Sequence, residues 1–354
     1  MTEPGPSSNR LLDRRVLVVS GKGGAGKTSV AAACAMAASR SNRSVLLVEV
    51  EGRDGVAGLL GIEPPGFQER DTPFGFRVLS ITPREALLEY LWLFFHMRTL
   101  ARTLRSARVL EVATEAIPGF RDLMSAGKLY ELTEWRDGGR DRRRPPYDLV
   151  VVDAPPTGQL VPFMRGPSAF RDLIRVGRPH RQLASIERLL RERSRLVLVA
   201  TPDEMAVEET METATQLAAE GLPLTAVVAN RVRPSPFPRG TRAPALRLTP
   251  ARVAELVSAG GPAPDHDAAG GALVAALAED ARSRVERRHL LRLREAGPVI
   301  ELPFLYTPTF GAPEVQRLAD ALAGGPGGST PASEPSGSRV RHSPGGSGSP
   351  KARR

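Results

Sequence analysis

The chain has 354 residues, 41% of them hydrophobic, with a single cysteine, Cys34, and a formal net charge of +10. Such a chain can bury one large core or two smaller ones, and one cysteine excludes, within a subunit, a disulfide, a cysteine-paired zinc site and an iron–sulfur site. Arginine stands almost wherever lysine could, and the tail from Gly324 carries five of the basic residues against Glu334, so the charge reads as composition drift and a nucleic-acid partner is not expected.

Residues 1–13 read as an unordered N-terminus. They hold no apolar signal region and the chain nowhere runs to eighteen consecutive apolar residues, which is the pattern of a cytoplasmic protein. Val16 to Ser20 is apolar and β-branched, and the alanine-rich stretch from Ser29 to Ser39 favours a helix. Between them Gly21-Lys22-Gly23-Gly24-Ala25-Gly26-Lys27-Thr28 holds two of the chain's four lysines. A glycine-rich turn explains the glycines but neither Lys27 nor Thr28. A phosphate-binding loop explains all of them. Its backbone N–H groups, from Gly21 through Ser29, face one concavity at a helix N-terminus, Lys27 reaches the β and γ phosphates, and Thr28 offers its hydroxyl to Mg²⁺.

Val45 to Val50 is the second predicted strand, and side-chain alternation points Glu49 and Glu51 the same way. Near a phosphate site either carboxylate can orient the attacking water or hold a Mg²⁺-bound water; without the loop they would read as a surface pair. Phe76 to Ile81 is a third strand. Residues 84–135 carry no strand signal and read as an inserted subdomain of two to four helices, with Leu87, Leu88, Leu91, Phe94 and Phe95 on one stripe. Trp92, Phe94, Phe95, Met97 and Met124 can line a groove for a hydrophobic client, although a stripe at helical spacing reads first as a closed core. Residues 136–146 form an exposed Arg/Gly/Pro connector.

Leu149 to Val152 delivers Asp153 to the tip of a buried strand, where a Mg²⁺-bound water would be its partner. Ala154-Pro155-Pro156-Thr157-Gly158-Gln159 follows as a stiff turn whose Gly158 N–H can sense a γ-phosphate. An arginine-rich helix is expected over Phe170 to Arg195, then a strand, Leu196 to Ala200, and a helix capped by Thr201 with Pro202 in its first turn and Glu204 three residues on. Ala226 to Ala229 ends at Asn230, whose amide matches the N6/N7 edge of adenine. Ser235 to Asp267 is Pro-rich and irregular, Arg282 to Arg294 is a second basic helix, Val299 to Leu302 a last strand, and residues 324–354 a disordered tail. Neither basic helix has interleaved aromatics, so both read as solvated faces before docking surfaces for acidic lipid or protein.

The strands are nearly continuous in Val, Ile and Leu, which implies burial on both faces. The expected fold is therefore α/β, a mostly parallel doubly wound sheet with helices on both faces and an inserted helical subdomain. Ligands of such sheets sit beyond the carboxyl ends of the strands, where Gly21, Glu51, Asp153, Thr201 and Asn230 all fall. One sheet threads them, giving one domain over residues 14–323.

In this order Gly21 to Thr28, Leu46 to Gly61, Ile117-Pro118-Gly119-Phe120 through Leu132, Asp153 to Gln159, Thr201 to Glu204, Asn230-Arg231 and Leu302-Pro303-Phe304 resemble the ArsA-type ATPases. These are the anion-pump and tail-anchored-protein-targeting family within the deviant Walker A, MinD/ParA group of P-loop NTPases. The resemblance implies ATP and Mg²⁺, with Thr28 and Asp153 (through water) at the metal, and Asn230 and Pro303 beside the nucleotide. It implies a dimer in which Lys22, the signature lysine, crosses to the partner's nucleotide as an arginine finger does. It also implies a client surface on the helical insert, with a hydrophobic or membrane-protein client. An ungapped match puts Glu51-Gly52 where the family has the Asp-Pro bearing its hydrolytic aspartate, so altered turnover is expected. Gln159 stands where a histidine is usual, and the metalloid-binding and zinc-clasp cysteines are absent, so neither a metalloid pump nor a zinc-bridged dimer is expected. The chain thus reads as a homodimer, or a heterodimer with a paralogous ATPase. The alternatives are a MinD/ParA-like positioning ATPase and a weakly hydrolysing regulatory subunit.

Overall fold

The computed structural model describes residues 11–50, 55–95, 119–134, 147–237, 241–258 and 266–324. Eight strands form one sheet in the order β3-β4-β2-β5-β1-β6-β7-β8: β1 (Val16–Gly21), β2 (Val45–Val50), β3 (Arg70–Asp71), β4 (Arg77–Ile81), β5 (Leu149–Asp153), β6 (Ser194–Ala200), β7 (Ala226–Val232) and β8 (Val299–Pro303). All neighbours pair in parallel except β3, which runs antiparallel to β4. The seven predicted strands are all present. Two-residue β3 is exposed on the sheet edge and had no hydrophobic run to announce it.

The central strands are mostly apolar because both of their faces are covered. In β1, Leu17 and Val19 pack into one core while Val16 and Val18 pack into the other, and β2 and β5 divide in the same way. The first core is closed by α1 (Lys27–Ser39) and by α11 (Ala312–Gly324) lying against it. Val30 through Ala38 of α1 are all buried, as expected of a helix that is apolar on every side. The second core takes Leu129 of α4 (Phe120–Glu134), Phe163 of α5 (Thr157–Leu173) and Leu189 of α6 (Gly177–Glu192). Each fully buried side chain of this kind contributes about 2–3 kcal/mol. Further along the same face, Val207 of α7 (Glu204–Ala219) and Leu290 and Leu293 of α10 (His266–Ala296) cover β7.

Several expectations change. Residues 11–13, read as unordered, are packed: Leu11 is buried, and Asp13 pairs with Arg195 at 3.1 Å. The basic helix over Phe170 to Arg195 is two helices, broken at residues 174–176. Pro179 suits the first turn of α6, where its missing N–H leaves no helical bond unmade, and the helix opens at Gly177 with φ +89°. The helix after β6 is capped not by Thr201 but by Asp203, whose carboxylate accepts from Ala206 N at 3.0 Å while the Thr201 hydroxyl bonds that carboxylate. The stretch 235–267 is not wholly irregular: it contains α8 (Arg242–Ala245) and α9 (Pro250–Ser258), and α10 begins at His266. Of the insert, the described residues show α3 (Pro83–Phe95) and α4; α2 (Gly55–Leu60) precedes β3. The expectations for Met97, Ile117, Pro118, the connector 136–146 and the tail beyond 324 lie outside the described residues, as do the side chains of Trp92, Phe94 and Phe95.

Candidate functional site

At the carboxyl edge β1 turns directly into α1. Gly21 must be glycine here, because an added Cβ would lie 2.1 Å from the carbonyl oxygen of Val199 on β6. The loop closes on itself through Ala25 N donating to Lys22 O at 3.2 Å, and Gly26, at φ +91°, starts the helix in the left-handed region that glycine occupies without penalty. Gly23 and Gly24 are exposed, with nothing within 4 Å of a would-be Cβ, so the concavity is open. Lys27 Nζ folds back over it, 3.3 Å from Lys22 O. Residues 21–29 thus form an open loop at a helix N-terminus whose partial charge favours anions.

Thr28, in the first turn of α1, donates its hydroxyl to Asp153 Oδ2 at 2.7 Å. Asp153 ends β5 and stands in register with Glu49 on neighbouring β2, so the two carboxylates lie side by side on the α1 face of the sheet. Glu49 is buried and accepts from Gly55 N at 2.7 Å. It is therefore no surface glutamate. Glu51 lies outside the described residues. A hydroxyl and carboxylates gathered at a phosphate cradle are hard oxygen donors, the set that suits Mg²⁺.

The segment after β5 is fastened to β1 on both sides of Asp153. Ala154 N donates to Val19 O at 2.9 Å, and Ser20 Oγ donates to Pro155 O at 2.5 Å. Thr157 begins α5 with its side chain buried, while Gly158 beside it is exposed at that helix N-terminus, where a backbone N–H can meet a phosphate. The Thr157 hydroxyl donates to Glu209 of α7, whose other carboxylate oxygen lies 3.9 Å from Lys22 Nζ. Sequence reasoning missed Glu209: an acidic residue on a helix gives no signal until the fold brings that helix beside the loop.

Asn230 is buried, and its amide faces the loop: Nδ2 donates to Ala25 O at 2.9 Å and Oδ1 accepts from Arg231 N at 3.0 Å. The sequence suggested an adenine contact. In this structure the side chain braces the phosphate loop. Pro303 ends β8 opposite Val232, and Phe304 beyond it carries the Arg233 guanidinium 4.5 Å above its ring.

A family model described as anion-transporting ATPase matches residues 14–191, which contain the loop, Glu49, Asp153 and Gly158. The chain belongs to the ArsA-type ATPase family. A protein named ATPase BagA from Mycobacterium tuberculosis is 37% identical over 233 residues, covering 64% of this chain and 68% of that protein. A putative arsenical pump-driving ATPase 2 from Aquifex aeolicus is 24% identical over 250 residues, covering 62% of this chain and 81% of that protein. This ArsA-type enzyme binds ATP and hydrolyses it. Asn230, Glu209 and Pro303 lie beyond the matched span, yet β6, β7 and β8 continue the same sheet and set them at the edge where the loop lies.

Between the helical insert of this ArsA-type ATPase and α5 and α6 lies an open cavity of about 710 Å³ lined by Leu87, Tyr90, Phe120, Met124, Phe170 and Ile174. Lys128 stands in its wall, 2.6 Å from Glu89 Oε2, 3.1 Å from Glu131 Oε2 and 4.8 Å from the centre of the Phe67 ring. Burial, aided by the neighbouring Glu89 charge and opposed by Lys128, pushes the Glu131 carboxyl up to about 7. Leu87 of the expected stripe and Met124 also belong to the packed core, so these two side chains serve as both core and cavity lining. Among the described residues no helix is long and apolar enough to cross a membrane.

Proposed function

We propose that this ArsA-type ATPase works as a dimer of identical or paralogous chains whose ATP- and Mg²⁺-bound state opens and closes a client surface on the helical insert. The observation that carries the reading is the position of Lys22. It sits on the phosphate loop with a side chain 31% exposed, while Lys27 of the same loop covers the chain's own cradle. Lys22 is thus available to a neighbour's nucleotide, where its charge would stabilise the phosphoryl transition state only in the closed dimer. Thr28 and Asp153 would hold Mg²⁺, Asp153 through water, and Mg²⁺ would neutralise charge on the β and γ phosphates. Glu51, or Glu49 from its buried place beside Asp153, would orient the attacking water. Gly158 would meet the γ-phosphate and relay its presence through α5, which packs against α4 and α6 around the cavity. That apolar cavity supports a hydrophobic or membrane-protein client, met in the cytoplasm.

Chain mass in solution with ADP and with ATP and Mg²⁺ tests the reading. A doubling specific to ATP is expected, and an unchanged monomer that turns over ATP would refute it. A second reading, a weakly hydrolysing subunit beside a catalytic paralogue, is favoured by Glu51-Gly52 standing where an Asp-Pro pair is usual. A side chain one methylene longer moves the water by about 1 Å, which can cost on the order of a hundredfold. Single-turnover hydrolysis by the chain alone and with its paralogue separates the two.

A further inference from the structure

The contacts of Glu209 tie together two parts of the site that act at different moments. Lys22 follows β1, Thr157 follows β5 and Glu209 lies on α7 after β6, so three neighbouring strands bring them to one point. One carboxylate oxygen accepts the hydroxyl of buried Thr157, and the other holds Lys22 Nζ at 3.9 Å. We propose that Glu209 is a positioning residue that rests the Lys22 ammonium on its own subunit and makes its release depend on the Thr157-Gly158 turn. The proposal deepens the dimer reading above and rests on it.

The two halves of the contact differ in strength. Lys22 and Glu209 have side chains 31% and 36% exposed, and an ion pair near 4 Å in such surroundings is weak. A lysine so held can leave. Thr157, by contrast, is buried and heads α5, so Glu209 follows the turn more closely than it follows the lysine. When Gly158 moves to meet a third phosphate, its neighbour Thr157 moves with it and draws the carboxylate away from Lys22. The charge then becomes free to cross to the partner. With a diphosphate the turn stays, the lysine stays, and the subunits have no cationic bond to share.

Glu209→Gln keeps an oxygen for the Thr157 hydroxyl and removes the charge that holds Lys22. The measurement is chain mass against the concentration of ATPγS with Mg²⁺ for the wild type, Glu209→Gln, Lys22→Ala and the double variant. The concentration giving half-maximal dimer is expected to fall about two- to fivefold in Glu209→Gln, the scale of one exposed ion pair. In the Lys22→Ala background the same substitution should change nothing. A purely structural role for Glu209 would give the same shift in both backgrounds. Thr157→Val, which cuts the turn's hold on the carboxylate but leaves the Glu209 charge on Lys22, should raise the half-maximal concentration, again only where Lys22 is present, and serves if Glu209→Gln does not fold. A wild type that doubles in mass while Glu209→Gln and Thr157→Val track it overturns this proposal alone. A shift that persists without Lys22 does the same. A wild type that never doubles overturns the dimer reading and this proposal with it.

Discussion

Replacing Asn230 by alanine separates a brace from a base reader. The amide spans from Ala25 O at 2.9 Å to Arg231 N at 3.0 Å and is buried. Arg231 is exposed, so water can reach its N–H after the substitution, whereas Ala25 is buried and its carbonyl oxygen would be left without the amide donor. Orphaning a buried polar group costs about 1–3 kcal/mol, and the lost packing brings the total to about 2–4 kcal/mol. At roughly 2–4 °C per kcal/mol in a large domain, Tm should fall by about 4–16 °C without nucleotide. The loosened loop should weaken ATP and GTP alike, on the order of tenfold or more, because misplaced phosphate donors are common to both. Thermal unfolding and equilibrium binding of the two nucleotides give the answer. Gly26→Ala should behave the same way, since its Cβ would meet Asn230 Nδ2 at 2.4 Å on a residue at φ +91°. An Asn230→Ala protein with unchanged Tm that loses ATP but not GTP would refute the brace.

Other outcomes follow from the same structure. Lys27→Ala should abolish nucleotide binding or turnover, measured by equilibrium binding and phosphate release, while leaving Tm near that of the nucleotide-free wild type. Glu131, whose carboxyl in the folded chain is pushed up to about 7 from an ordinary 4.5, binds more protons folded than unfolded between those values. Its contribution to stability therefore falls as pH rises through that window. Glu131→Gln should raise Tm relative to the wild type at pH 8 and not at pH 4. Cys34 is buried and desolvation pushes its thiol up to about 12, so at pH 8 only about one molecule in ten thousand carries the thiolate. A thiol-reactive probe should label the native chain only at the rate of unfolding.

Much of this fold was legible because the strands are buried on both sides. Val16 to Val19 and Leu149 to Val152 have no polar face to blur their runs, and the phosphate loop sits where a strand meets a helix. What escaped had no local signature. The cap at Asp203 rather than Thr201 depended on which side chain reached Ala206 N. The break at residues 174–176 was hidden by arginines that solvate either shape, although Gly177 and Pro179 marked it. Which of Glu49 and Glu51 lies nearer Asp153 did not follow from the sequence; strand register sets Glu49 beside it, buried. Glu209 and the inward turn of Asn230 are products of strand order, which no single segment contains.

Mixing two inactive variants tests the lent lysine most directly. Lys22→Ala subunits keep a nucleotide site but have no charge to lend; Lys27→Ala subunits, which also carry Glu209→Gln so that their Lys22 is not held back, cannot hold nucleotide but keep the lysine. In an equal mixture each mixed dimer has one complete site, so hydrolysis should return to about a quarter of the wild-type rate, with the lysine acting as a finger in trans. If the mixture stays as inactive as its parts while Lys22→Ala and Lys27→Ala chains demonstrably pair, Lys22 serves its own subunit and the account is wrong.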